Sequence, residues 1–154
     1  MTREDFADRV TAAQGRLYRI ARGYLRQEAD CLDAISETIA RAWQKLVTLR
    51  EERYFDTWLT RILIRECINI QRRQKRVMLM EKLPEADAAG ENEALRAALD
   101  ELPQKLRTVV VLHYMEGYAV DEIARILRTP RGTVCSRLKT ARERLRALLE
   151  EGEK

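Results

Sequence analysis

The stretch Tyr118 to Leu149, YAVDEIARILRTPRGTVCSRLKTARERLRALL, governs how the rest of the chain is understood. Its first part predicts a short helix, Val120 to Leu127, with Ile123, Ala124 and Leu127 on one face. Arg128, Thr129 and Pro130 interrupt it. Thr129 is expected to cap a second helix, with Pro130 at its first position, where a missing N–H costs nothing. That second helix carries Val134, Leu138, Ala141, Leu145 and Leu148 at alternating steps of four and three, which makes one buried stripe. Its other faces hold Arg131, Thr133, Cys135, Ser136, Arg137, Lys139 and Arg142.

Two helices across a tight turn, the second strongly basic, have the form of a DNA-binding helix-turn-helix. An ordinary helical hairpin with a solvated basic face has the same periodicity. Two details favour DNA. Ala124 is small where the helices must approach closely. Gly132 and Thr133 fall in the first turn of the second helix, where an N-terminus can meet a phosphate or a base edge.

The chain has 154 residues, enough for one ordinary domain or two small ones. Charged residues make up 35% and hydrophobic ones 45%, with Gly and Pro scarce, a composition suited to soluble helices. The balance of 29 Lys+Arg against 25 Asp+Glu gives only +4, so the clustering of the cations matters more than their sum. Cys31, Cys67 and Cys135 lie far apart without CxxC spacing. Neither a disulfide framework nor a zinc site is expected, and a reducing cytoplasm fits. His113 shares an apolar face with Leu106, Val109 and Val110 and is read as a core or edge histidine. No apolar run reaches membrane-spanning length, and Thr2-Arg3-Glu4-Asp5 is unlike a signal peptide, so no membrane insertion is expected. Paired acids, a Ser-His-Asp set, a phosphate loop and a metal-ligand cluster are all missing from the pattern, so catalytic residues, metal and cofactors are not expected.

Taken from its start, the chain reads as all-helical. Phe6, Val10, Ala13, Leu17, Ile20 and Tyr24 mark an amphipathic helix ending near Leu25. The next helix is expected to bury Leu32, Ile35, Ile39, Trp43 and Leu46, leaving Asp33, Glu37, Arg41 and Gln44 outside. A polar loop precedes a third helix starting near Tyr54, with Phe55, Leu59, Ile62, Leu63, Cys67 and Ile70 inward. Arg61, Arg65, Asn69, Arg72 and Arg76 recur on its opposite face as a stripe able to track phosphates, with Glu66 the one acid offsetting it. Tyr54, Phe55 and Trp58 lie at the start of that stripe, where aromatic rings could stack on unpaired bases. Residues 77–92, VMLMEKLPEADAAGEN, read as a flexible linker. Helical pattern resumes with Leu95, Leu99 and Leu102, and Pro103 opens a helix with Leu106, Val109, Val110 and His113 inward. Gly117 is expected to end it in the left-handed conformation. The boundaries expected are 1–76 and 93–154 for two small helical domains, the second containing the helix-turn-helix.

Both halves resemble one family, the extracytoplasmic-function group of sigma-70-type sigma factors, which give bacterial RNA polymerase its promoter specificity. The resemblance rests on DCLDAISETIARAWQKL (30–46) and FDTWLTRILIRECINIQRRQKR (55–76) in the first half. In the second it rests on LDELPQKLRTVVVLHYMEGY (99–118) and DEIARILRTPRGTVCSRLKTARERL (121–145). It implies that Asp33, Glu37, Arg41 and Gln44 dock on the clamp helices of the largest polymerase subunit. The loop 49–54 with Tyr54, Trp58, Arg61, Arg65, Asn69, Arg72 and Arg73 would melt and read the minus 10 promoter element. Arg131, Thr133, Cys135, Ser136, Arg137, Lys139 and Arg142 would read the minus 35 element. Core polymerase, including its flap, and promoter DNA are the implied partners, with an anti-sigma factor as a further one. The chain departs from the family pattern at Ser36 (usually glutamine), Arg65 (often asparagine), Arg128 (usually glycine) and Cys135 (usually lysine). Two other classes fit the bare pattern: a stand-alone helix-turn-helix regulator that dimerises on a palindrome, and a pure interaction protein.

Overall fold

A computed structural model describes residues 1–80 and 93–152, with side chains placed for all of these but 78–80 and 152. Every regular element among them is helical. The chain divides into two units, Met1–Glu85 and Ala86–Lys154. Of the expected linker, residues 81–92 lie outside the described residues.

In the first unit, α1 spans Arg3–Arg22, α2 Glu28–Gln44 and α3 Phe55–Met80. Thr2 caps α1: its hydroxyl accepts from the Asp5 amide at 3.1 Å, and the Asp5 carboxylate accepts from the Thr2 amide at 3.1 Å. These two bonds hold the Asp5 carboxyl below its ordinary value. The expected stripe of α1 is buried, from Phe6 through Val10, Ala13, Leu17 and Ile20 to Tyr24. So are all six inward positions expected on α3. Helix α3 continues past the expected boundary at 76 to Met80. At 26 residues it is about 39 Å long, enough to pack on both α1 and α2 while extending beyond them. Side chains tie it to the α1–α2 corner: Gln71 Nε2 donates to the Tyr24 carbonyl at 2.7 Å, and Gln74 Nε2 to Asp30 at 2.6 Å.

Helix α2 differs from expectation. Its buried residues are Cys31, Ala34, Ile35, Thr38 and Ala42. Leu32 and Trp43, expected inside, are 50% and 48% exposed, and Ile39 and Leu46 are half-buried. The buried face is therefore turned by about a quarter of a revolution from the stripe of large apolar residues. Small residues let α2 approach its neighbours closely, and Thr38 makes this tolerable by donating its hydroxyl to the Ala34 carbonyl at 2.7 Å. Trp43 still packs, edge-on, against Phe6 at 5.1 Å.

In the second unit, α4 spans Glu93–Glu101, α5 Gln104–Val110, α6 Val120–Leu127 and α7 Arg131–Gly152. Leu99, Leu102, Leu106, Val110 and Ala141 form a buried cluster, with Leu95 and Leu145 packed against it. Buried Arg107 on α5 reaches Asp100 on α4 at 3.1 Å. Helix α5 widens at its end into a π-helical turn, Val111–Met115, marked by the Glu116 amide bonding to the Val111 carbonyl. Gly117 then takes φ +81°, the left-handed conformation expected of it. His113 is half-buried, and its Nδ1–H donates to the Tyr118 carbonyl at 2.8 Å.

The helix-turn-helix boundaries agree with the sequence reading, but two details do not. On α6 the fully buried residues are Ile123 and Ile126, while Ala124 and Leu127 are half-buried. Thr129 does not cap α7. Its hydroxyl bonds back to the Leu127 carbonyl, and Pro130 supplies the first carbonyl of α7, accepting from Thr133 and Val134. The cause lies in Arg128, which caps α6 at φ 53°, ψ 47° and shifts the turn by a residue. The family pattern has glycine there because only glycine adopts this conformation without strain.

Candidate nucleic-acid interface

Two basic surfaces emerge, one on each unit. On α3, the pattern that buries Phe55, Leu59, Leu63 and Cys67 turns Arg65, Asn69, Arg72, Arg73 and Arg76 outward, all exposed, with Arg61 half-buried. Arg65, Arg72, Arg73 and Arg76 make no ion pair among the described residues. Glu66, expected to offset this stripe, does not face it. It is only 4% exposed and receives Arg41 of α2 at 2.6 Å. Nothing in sequence spacing pairs residues 41 and 66, so this contact had no local signal.

The loop before α3 is fastened to the rest of the unit. Arg9 of α1 donates to the Glu52 carbonyl at 2.6 Å and lays its guanidinium over the Phe55 ring at 5.3 Å. Arg16 approaches Asp56 at 3.5 Å. Tyr54 is exposed and carries Arg53 over its ring at 4.8 Å. The Glu51 carboxylate bonds that guanidinium at 2.6 Å and pushes Arg53 up from its ordinary value. Trp58 is half-buried and tilted against Phe55 at 5.8 Å, so one side packs and the other is open. Arg9 and Arg53 join the surface without having been singled out by periodicity.

On α2, Asp33, Glu37, Arg41 and Gln44 are all exposed. Glu37 lies 4.0 Å from Arg41 one turn on, which corrects the idea that these acids lack a basic neighbour. Arg41 bridges Glu37 outside and Glu66 inside, so it belongs as much to the packing as to the surface.

On α7, the buried line Val134, Leu138 and Ala141 sets the register of everything opposite. Arg131, Cys135, Ser136, Lys139 and Arg142 are exposed, and Thr133 and Arg137 half-buried. A Cβ added at Gly132 would meet nothing within 4 Å, so the first turn of α7 is open to a close approach. Two of these cations are held. Arg131 Nε donates to Asp121 of α6 at 2.8 Å, and Arg142 Nη1 donates to the Tyr114 hydroxyl of the π turn at 3.1 Å. Beside them lies an apolar cleft of about 510 Å³ lined by Leu95, Leu99, Tyr114, Met115 and Leu145. No group of three or more metal-binding side chains gathers among the described residues, and no described helix is long and apolar enough to cross a membrane.

Comparison with known proteins matches residues 10–77 to the family described as Sigma-70 region 2, and residues 92–145 to Sigma-70, region 4. The RNA polymerase sigma factor SigV of Bacillus subtilis is 31% identical over 146 residues, covering 91% of this chain and 88% of that protein. The ECF RNA polymerase sigma factor SigM of Mycobacterium tuberculosis is 34% identical over 139 residues, covering 86% of this chain and 71% of the relative. Among solved structures, CnrH in complex with the cytosolic domain of CnrY superposes with a TM-score of 0.76 at 26% identity, covering 97% of this chain and 90% of that one. The sigma factor RpoE in complex with the anti-sigma factor NepR, from Bartonella quintana, gives 0.74 over 96% of this chain and 98% of that one. At 22% identity that likeness bears on the fold alone.

Proposed function

Because the chain belongs to the extracytoplasmic-function group of sigma-70-type sigma factors, non-enzymatic proteins that serve RNA polymerase in transcription initiation, we propose how its two units divide that task. The first unit, expected at 1–76, docks on the clamp helices of the largest polymerase subunit through Asp33, Glu37, Arg41 and Gln44. It then opens the minus 10 element with Tyr54, Trp58, Arg61, Arg65, Asn69, Arg72 and Arg73. The second, expected at 93–154, reads the minus 35 element with α7, and its apolar cleft receives the polymerase flap.

The observation that carries this reading is the exposed run of Arg65, Asn69, Arg72 and Arg76 along a helix that begins at an aromatic pair, Tyr54 and half-buried Trp58. Opening a promoter requires a surface that captures bases leaving the stack and cations that hold the displaced backbone. It requires no covalent chemistry from this chain. The protein would act where polymerase works, in the cytoplasm. A partner that masks these surfaces is part of the proposal, supported by CnrH, which is found in complex with the cytosolic domain of CnrY.

The test adds the purified full chain to core polymerase and measures promoter-specific initiation, with permanganate footprinting of the melted bases. Specific initiation with reactive thymines in the minus 10 region is the expected result. Binding to duplex DNA alone, as a dimer on a palindrome and without effect on polymerase, would overturn it.

A further inference from the structure

We infer that Asp121 is a positioning residue for base reading: it grips Arg131 at Nε and leaves the terminal amino groups of that guanidinium to address one base pair of the upstream element. The inference rests on the proposed role of α7 as the recognition helix.

Arg131 is the first residue of α7, where a cation faces the positive end of the helix dipole, and the first turn of α7 contains no acid to offset it. The Arg131–Asp121 pair does little for the fold, because its side chains are 67% and 70% exposed and such pairs are worth little in water. The arrangement therefore has no evident structural purpose, yet its geometry is specific. The bond runs from Nε to Oδ1 at 2.8 Å across the turn, between residues ten apart in sequence. A guanidinium has five N–H donors in a rigid plane. With the Nε edge held by a carboxylate, the amino groups remain to meet the paired acceptors O6 and N7 of guanine.

The platform under this pair is rigid. Ile123 and Ile126 of α6 and Val134 of α7 are buried, and the Thr129 amide bonds to the Ala124 carbonyl at 3.0 Å across the turn. Asp121 and Arg131 are thus held by helices and not by a loop, which is the condition for orienting a donor accurately. Holding Arg131 in advance lowers the ordering cost of binding. Arg137 and Lys139 on the same helix make no ion pair among the described residues, so Arg131 is distinguished from them by this acid. A carboxylate this close to DNA also repels phosphates, so its retention makes sense for discrimination and not for raw affinity.

The experiment uses polymerase holoenzyme formed with the full chain and a library of promoters randomised in the upstream element, at fixed salt. It compares the parent protein with Asp121→Ala, Arg131→Ala and the double variant, with melting temperatures measured alongside. Arg131→Ala should lose guanine preference at one position, on the order of tenfold. Asp121→Ala should weaken preference at that same position by several-fold and leave the other positions and the melting temperature unchanged. In the double variant Asp121→Ala should add nothing further. Full loss in Arg131→Ala with no change in Asp121→Ala would overturn the positioning role while leaving the recognition helix in place. A uniform gain of affinity for all sequences in Asp121→Ala would reduce Asp121 to a repelling charge. Loss of a cytosine preference in Asp121→Ala that persists without Arg131 would make it a direct reader and overturn the inference. Unchanged preference in Arg131→Ala would also overturn it, and Arg137→Ala in the same library would then show whether α7 reads the element at all.

Discussion

Along α3 the guanidinium groups of Arg65, Arg72 and Arg76 stand exposed without an ion pair among the described residues, whereas on α7 Arg131 is held by Asp121 and Arg142 by Tyr114. The two helices are similarly basic and differ in how far their charges are fixed. Mobile cations suit a single strand whose path varies, since they supply attraction without demanding a sequence. Oriented donors suit a duplex whose base edges are fixed in place. Net charge alone does not separate these two uses; partners of the cations do.

The contrast matters only if the chain reaches polymerase, so the largest expected effect lies on α2. Asp33→Lys with Glu37→Lys should cost on the order of 3 kcal/mol or more of association with core polymerase, by placing like charges together. Folding should change by no more than about 0.5 kcal/mol, because both positions are exposed. A pull-down with a melting curve measures both, and a folded variant that still binds core polymerase and initiates normally removes the docking role.

Next is the cation of the first unit that is held. Arg41→Ala strands the buried Glu66 carboxylate and should destabilise by about 3 kcal/mol. Glu66→Gln leaves Arg41 half-exposed and able to find water, so it should cost only about 1 kcal/mol. Urea denaturation of the pair checks this asymmetry; equal losses would mean that Glu66 is hydrated when alone.

The comparison itself is tested by two sets of alanines. Arg137→Ala should remove about 1–3 kcal/mol of discrimination at one upstream base pair. Arg65→Ala with Arg72→Ala should instead leave sequence preference alone, slow opening, and lower the salt dependence by about one unit per residue. Footprinting and binding across a salt series separate the two outcomes; sequence preference altered by the α3 pair would break the distinction.

The smallest effect is at the start of α1. Because the Thr2 bonds hold Asp5 below its ordinary value, the stability they give is present above that ordinary value and is lost as pH falls through the lowered one. Thr2→Ala should therefore lower the melting temperature slightly near neutrality and make less difference in strong acid.

The sequence made most of this legible where one face decides the outcome. The stripes of α1 and α3, the ends of α6 and the left-handed Gly117 all follow from local pattern. Helix α2 did not, because periodicity selects large apolar residues, while close packing selected Cys31, Ala34 and Ala42 and left Leu32 and Trp43 exposed. The cap at Thr129 failed because the left-handed Arg128 moved the turn. Asp121 and Tyr114 were missed because their partners, Arg131 and Arg142, are set by tertiary geometry. Exposed site residues could be identified as exposed, but which of them were already engaged could not be derived from spacing.

The π turn at Val111–Met115 has a consequence for how this protein can change over time. The run VVVLHYM shows no break in sequence, yet the chain there makes one wide turn before Gly117. A π turn accommodates a residue more than an α turn does. Deleting one residue in it would re-form an ordinary helix and rotate whatever follows by about 100°. Tyr114 would then swing off Arg142, and α6 would leave the groove it fills. The turn thus fixes the phase of the helix-turn-helix against its supporting helices: substitutions within it are tolerable, whereas a change of length is not.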